Sequence, residues 1–189
     1  HLRPWASSSW LLEENAIDAR LVSWLEHYAS QRDHGRPWRL VIAGDFLDLA
    51  GMSLCVPESV RTPPTAEEQR HGLGSATDHV LHKVEAIAQR HPSVFRALGR
   101  FVAAGHALVI VRGNHDIELY WREAQSALVD AILACEPAEA RASLRAHIAV
   151  RPWFFAVDGL LYVEHGHEFH PLCSYGVPRL NPRGTSWRG

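Results

Sequence analysis

Three short strings in this chain combine a glycine with side chains able to bind a cation or move a proton. They are Gly44-Asp45-Phe46-Leu47-Asp48, Gly113-Asn114-His115-Asp116 and His165-Gly166-His167, and each follows an apolar run. Asp45 offers two carboxylate oxygens and can bridge two cations. Asn114 offers a neutral amide oxygen, and His165 an imidazole nitrogen. Mixed nitrogen and oxygen donors suit Mn, Fe or Zn better than Ca. Two divalent metals about 3.5–4 Å apart can hold the attacking and leaving oxygens of a phosphoryl group, with a metal-bound hydroxide attacking phosphorus at neutral pH. His115 stands one residue beyond a ligand and can reach the substrate, protonating the leaving oxygen or stabilising charge. Asp116 could orient it through the other ring nitrogen. One such string alone would be an ordinary polar turn; its recurrence at three strand ends is the signal.

The elements that must position these groups follow from apolar spacing. Leu40-Val41-Ile42-Ala43 and residues 107 to 111 are short runs rich in β-branched residues, which read as buried strands. Strands of that kind suit a parallel sheet covered on both faces, where ligands collect beyond the carboxyl ends. Trp153 to Val157 and Leu160 to Val163 are two more strands, joined by the hairpin signal Asp158-Gly159. Glycine beside each ligand-type residue permits a sharp turn and a close approach. Helical spacing runs from about Asn15, a candidate cap, to Ser30, with Trp24 and Tyr28 as core. Further helices are expected from Val80 to His91-Pro92, and from Ser93, a plausible cap, to a stop at Gly105. Two more cover roughly 120 to 134 and a stretch beginning near Pro137. Residues 51 to 74 form a loop-rich insertion, which either covers a site or is an insertion irrelevant to the chain's family.

Size and composition are those of a globular domain. The chain has 189 residues, 47% hydrophobic and 21% charged, and a net charge of −2, which suits one domain spanning 1–189. This balance gives no indication of a nucleic-acid partner. No run approaches the roughly 18–20 apolar residues of a membrane span. Cys55, Cys135 and Cys173 fit neither a zinc ribbon nor a disulfide framework and read as buried or half-buried thiols. With no secretory signal visible, a cytoplasmic setting is expected. Most of the 13 histidines read as surface or helix-face residues.

The strings Gly44-Asp45-Phe46-Leu47-Asp48 and Gly113-Asn114-His115-Asp116 together resemble the calcineurin-like metallophosphoesterase superfamily. That family reads D-x-H, G-D-x-x-D, G-N-H-D/E, H, then G-H-x-H, on a four-layer α/β/β/α sandwich. The resemblance implies that Asp45 is the bridging carboxylate and Asn114 a ligand of the second metal. It implies that His115 and Asp116 are the catalytic dyad and that His165 is the lone histidine of the fourth motif. Asp48 matches the second Asp of its motif, a supporting residue. The resemblance covers about His1 to His170, and the ordered combination is more specific than either string alone.

The chain also departs from the family. The Asp of the first motif is absent, and His1-Leu2 resembles the tail of that motif, so His1 is either a metal ligand or a terminal residue without a role. The final G-H-x-H is missing as well; in Gly166-His167-Glu168-Phe169-His170 the second His falls one residue late. His167 is a supporting candidate, and the roles of His167 and His170 stay open. A domain incomplete at both ends is expected, with the last motif beyond Gly189 in a longer parent. The expected activity is metal-dependent hydrolysis of a phosphate mono- or diester of small size at a site holding two divalent ions, manganese among them. The isolated piece is expected to turn over slowly or not at all. The alternative is a catalytically silent scaffold of the same fold that binds protein. The layout is also similar to UDP-diacylglucosamine pyrophosphatases of the superfamily, but these carry Arg where this chain has His115.

Overall fold

Leu108 to Val111 are buried because their strand is the middle one of three. A computed structural model describes residues 8–170 and residue 173. His1, the irregular start before residue 8 and the loop expected over 181–189 lie outside the described residues. The chain is mixed α/β. Strands β1 (Arg39–Ala43), β2 (Ala107–Val111) and β3 (Ile148–Arg151) form a parallel sheet in the order β1-β2-β3. Leu40 pairs with Leu108, and Leu108 with Ile148.

Side chains alternate across a strand, and the two faces of this sheet have different covers. Leu108 and Ile110, with Leu40, Ile42, Ile148 and Val150, face a helical layer. That layer includes α1 (Ser8–Ala29), α3 (Thr77–Arg90), α4 (Pro92–Ala103) and α5 (Arg122–Leu133). Val80, Val84 and Ile87 on α3 and Phe95, Leu98 and Phe101 on α4 recur at helical spacing and fill this core. On the opposite face lies an antiparallel hairpin of β4 (Phe154–Val157) and β5 (Leu161–Glu164). Its residues Phe155 to Val157 share a cavity with Leu108 and Val109, and the Arg39 guanidinium sits 5.5 Å over the Phe155 ring. The outer helical layer of a four-layer sandwich is not among the described residues.

Several expectations need correction. The first helix begins at Ser8, so Asn15 lies inside it and is no cap. Trp24 is 45% exposed, because it lies on the solvent edge of α1 and tilts onto Tyr28, whose ring in turn packs edge-on against Trp38. Helix α4 starts one residue before Ser93: Pro92 takes its first turn and His91 is the cap residue, consistent with proline's pre-set φ. Strand β3 was not anticipated; only Ile148-Ala149-Val150 marks it, squeezed behind α6 (Ala138–Arg145). Cys55 and Cys135 are exposed, not buried. His79, His91 and His106 are buried, each bonded to a neighbouring segment.

The insertion is folded. It contains the short helix α2 (Ala66–His71), opened by a capping box of Thr65 and Glu68. Asp78, in the first turn of α3, accepts hydrogen bonds from the Arg61 and Thr62 amides at 2.7 and 2.8 Å. The insertion's own Met52 and Leu73 are buried. Among the described residues, no helix is long and apolar enough to cross a membrane.

Candidate metal centre

The ends of β1, β2 and β5 converge. Nε2 of His165 lies 3.2 Å from Oδ2 of Asp45 and 3.1 Å from Oδ1 of Asn114. The other Asp45 oxygen accepts the His115 amide at 2.9 Å. Thus residues from three separated strings form one cluster. Two glycines make it possible. A Cβ on Gly44 would run into the His165 ring, and a Cβ on Gly113 would run into the Asp45 carboxylate and amide. Gly44 has φ of 89° and Asp45 itself has φ of 52°. Left-handed backbone at a non-glycine residue is uncommon and clusters at functional sites. Here it turns the Asp45 side chain inward, toward the end of β2.

The donor chemistry of this cluster suits a cation. Nδ1 of His165 is 2.8 Å from the carbonyl oxygen of Ala43. A carbonyl only accepts, so Nδ1 carries a proton, and Nε2 faces Asp45 and Asn114. Three electron-rich atoms then face one another, a repulsive arrangement unless a positive charge lies among them. That charge is either a proton on Nε2 or a metal ion. Donor atoms each about 2.0–2.2 Å from one metal lie about 3 Å apart at neighbouring octahedral positions and about 3.3–3.6 Å apart in a tetrahedron, which brackets the separations seen here. Among the described residues, no group of three or more His, Cys, Asp or Glu side chains could hold a metal ion. The cluster has two residues of those types and completes its set with an amide. A second cation would need ligands beyond these three, and His1, the sequence's candidate, lies outside the described residues.

The partner of His115 is not the one expected. Nδ1 of His115 is 2.8 Å from Oδ1 of Asp48. Asp116 turns instead into the backbone: its oxygens accept the Gly113 amide at 2.6 Å and the Leu47 amide at 3.3 Å. It therefore ties the β1 and β2 loops together and does not orient the imidazole. Burial raises the Asp116 carboxyl to about 6, against the pull of the Gly113 and Leu47 amides. Asp48 is 1% exposed and also accepts the Gly51 amide at 3.0 Å. The Leu49 and Ala50 amides donate to the His115 carbonyl at 2.9 and 3.0 Å, so the histidine is held from both its ring and its backbone.

His167 stands next to this cluster, its ring 5.3 Å from that of His165 and its Nε2 3.3 Å from Glu168. Burial lowers its pKa, and the charge on Glu168 opposes that shift. His170 is exposed and follows a 3-10 turn over His167–Phe169.

Sequence reasoning passed over three charged residues nearby. Arg112 is buried just before Gly113, with its guanidinium 5.7 Å over the Tyr120 ring. Lys83 and Glu118 are also buried. Their signal in the sequence was a charge placed within an apolar run or on an apolar helix stripe.

A mixed α/β chain, with a parallel sheet whose strand ends gather an Asp, an Asn and a His, is the class that fold and site define. Comparison with family models, with curated proteins and with solved structures found no match to this chain.

Proposed function

We propose that the chain is a metal-dependent phosphoesterase that hydrolyses a phosphate mono- or diester, built on the calcineurin-like four-layer sandwich. The observation that carries this reading is the facing of His165 Nε2, Asp45 Oδ2 and Asn114 Oδ1 at 3.1–3.2 Å. Asp45, Asn114 and His165 would hold a divalent cation, with Asp45 able to share a second. The chemistry such cations supply when bound is Lewis acidity toward phosphoryl oxygens and activation of an attacking water. His115 does the proton work. Asp48 holds a proton at Nδ1 of the ring, which fixes the tautomer, so proton exchange with the substrate runs through Nε2. Asp116 keeps the two loops in register so that Asn114 and His115 stand beside Asp45.

The test is hydrolysis of p-nitrophenyl phosphate by the full chain with added Mn. Asp45→Asn and His115→Ala should each remove most of the activity. Unchanged rates in both variants would reject the mechanism.

A further inference from the structure

Helix α3 turns Val80, Lys83, Val84 and Ile87 into the protein, so a lysine occupies a place where the spacing asks for an apolar side chain. Lys83 is 3% exposed, and burial lowers its pKa because an ammonium taken out of water loses hydration. Three carboxylates oppose that shift, in falling order Glu118, Glu68 and Asp48. Replacing a buried ionic group by apolar side chains of similar volume is often neutral or stabilising. The lysine therefore asks for a reason beyond stability.

Two routes lead from Lys83 to His115. The first runs through one peptide group. Nζ donates to the Leu49 carbonyl at 2.9 Å. The amide of that same peptide unit, on Ala50, donates to the His115 carbonyl at 3.0 Å. The carbonyl and amide of a trans peptide point in opposite directions, so Lys83 and His115 grip this unit from its two sides. Hydrogen bonds in series also polarise and strengthen one another. The second route runs through charge. Asp48, 1% exposed, accepts Nδ1 of His115 at 2.8 Å, and the Lys83 cation acts on that same carboxylate.

We propose that Lys83 is a positioning residue for His115, holding the histidine's backbone through the Leu49–Ala50 peptide and its ring through the Asp48 carboxylate. The inference rests on the phosphoesterase reading, in which His115 exchanges a proton with the substrate. Lys83 acts from behind the turn that carries Asp48, Leu49 and Ala50, so its effect falls on proton transfer and not on metal binding. A misplacement of about 1 Å in a reacting group can cost about a hundredfold in rate. The rival reading is a lysine that only balances Glu118, in the turn Ile117–Tyr120, and Glu68 on α2. Such a lysine would leave His115 where it is.

Lys83→Met removes the charge and the donors while keeping an unbranched side chain. With p-nitrophenyl phosphate and Mn, kcat should fall by about 10–100-fold, with KM and Mn affinity near those of wild type. NMR spectra of the metal-free chain at one fixed pH supply the second readout. The His115 Nδ1 proton, shielded from exchange with water by its bond to Asp48 in wild type, should broaden or vanish in the variant. Lys83→Gln keeps a donor for Leu49 and loses the charge; it should lose the same signal, and it decides the matter where Lys83→Met does not fold. An unchanged kcat or an undiminished Nδ1 signal in a folded variant overturns the proposal, and Lys83 then only balances Glu118 and Glu68. A wild type without a protected Nδ1 proton overturns it before any variant is made. Where wild type hydrolyses nothing, the signal decides alone. Its loss in the variants supports the positioning role, and only the phosphoesterase reading falls; its persistence sinks both.

Discussion

Nδ1 of His115 lies 2.8 Å from Oδ1 of Asp48, on a carboxylate that is 1% exposed and also anchored to the Gly51 amide. The candidate proton donor of the site is thus oriented by the second Asp of the β1 loop, and not by the Asp that follows it in the chain.

This relationship sets the first prediction. Asp48→Asn should lower kcat by about 10–100-fold, the usual cost of removing a partner that orients a functional side chain, with a smaller change in KM. An unchanged kcat in Asp48→Asn would mean that Asp48 serves only to hold its loop.

The candidate metal cluster predicts ligand-dependent stability. Mn at about a hundred times its Kd should stabilise the folded chain by about 2.7 kcal/mol, a rise of several degrees in Tm. His165→Ala should abolish that rise while leaving the melting of the metal-free protein within a few degrees of wild type. Differential scanning calorimetry with and without Mn reads both. An undiminished Mn response in His165→Ala would remove the imidazole from the ligand set.

Close approach at Gly113 predicts a steric effect. Gly113→Ala places a methyl against the Asp45 carboxylate and backbone, and one side must move. A loss of about 1–3 kcal/mol is expected, or about 2–4 °C in Tm for each kcal/mol in a chain of this size. Mn binding should weaken with it, since Asp45 is the group displaced. Chemical denaturation together with metal titration checks the pair.

Asp78 predicts an acid limb in the stability of the insertion. Hydrogen bonds from the backbone of Thr62, first among its partners, and of Arg61 hold its carboxyl below the usual range. The folded-state value is therefore depressed relative to the unfolded one. The associated stability is present above the unfolded value of about 3.9 and is lost as pH falls through the folded value. A carboxyl-carbon NMR titration should place its midpoint below that of an ordinary Asp. In Asp78→Asn, the Arg61 and Thr62 amides should exchange faster at neutral pH. An ordinary midpoint would remove Asp78 as the clasp of this segment.

Much of the framework was legible in the residues alone. The run Leu108 to Val111 declared a buried central strand because four branched or long aliphatic side chains leave no polar face. Apolar spacing located α3, α4 and α5, and Asp158-Gly159 the hairpin. Glycines at strand ends, together with Asp, Asn and His, marked where a site would form. Local signals of this kind depend only on neighbouring residues, so a linear reading can recover them.

Tertiary structure decided what depends on approach between segments far apart in sequence. Asp116 lies beside His115 in the chain, yet its carboxylate is consumed by the Gly113 and Leu47 amides, and Asp48 arrives from another strand end to take the imidazole. Strand β3 exists because β2 offers it an open edge; four residues carry too little pattern to announce a strand by themselves. Lys83 and Glu118 leave water only when the fold closes over them. Sequence spacing determines which side chains share a face of one element, whereas burial and pairing between elements emerge only when the whole sheet closes against its helices.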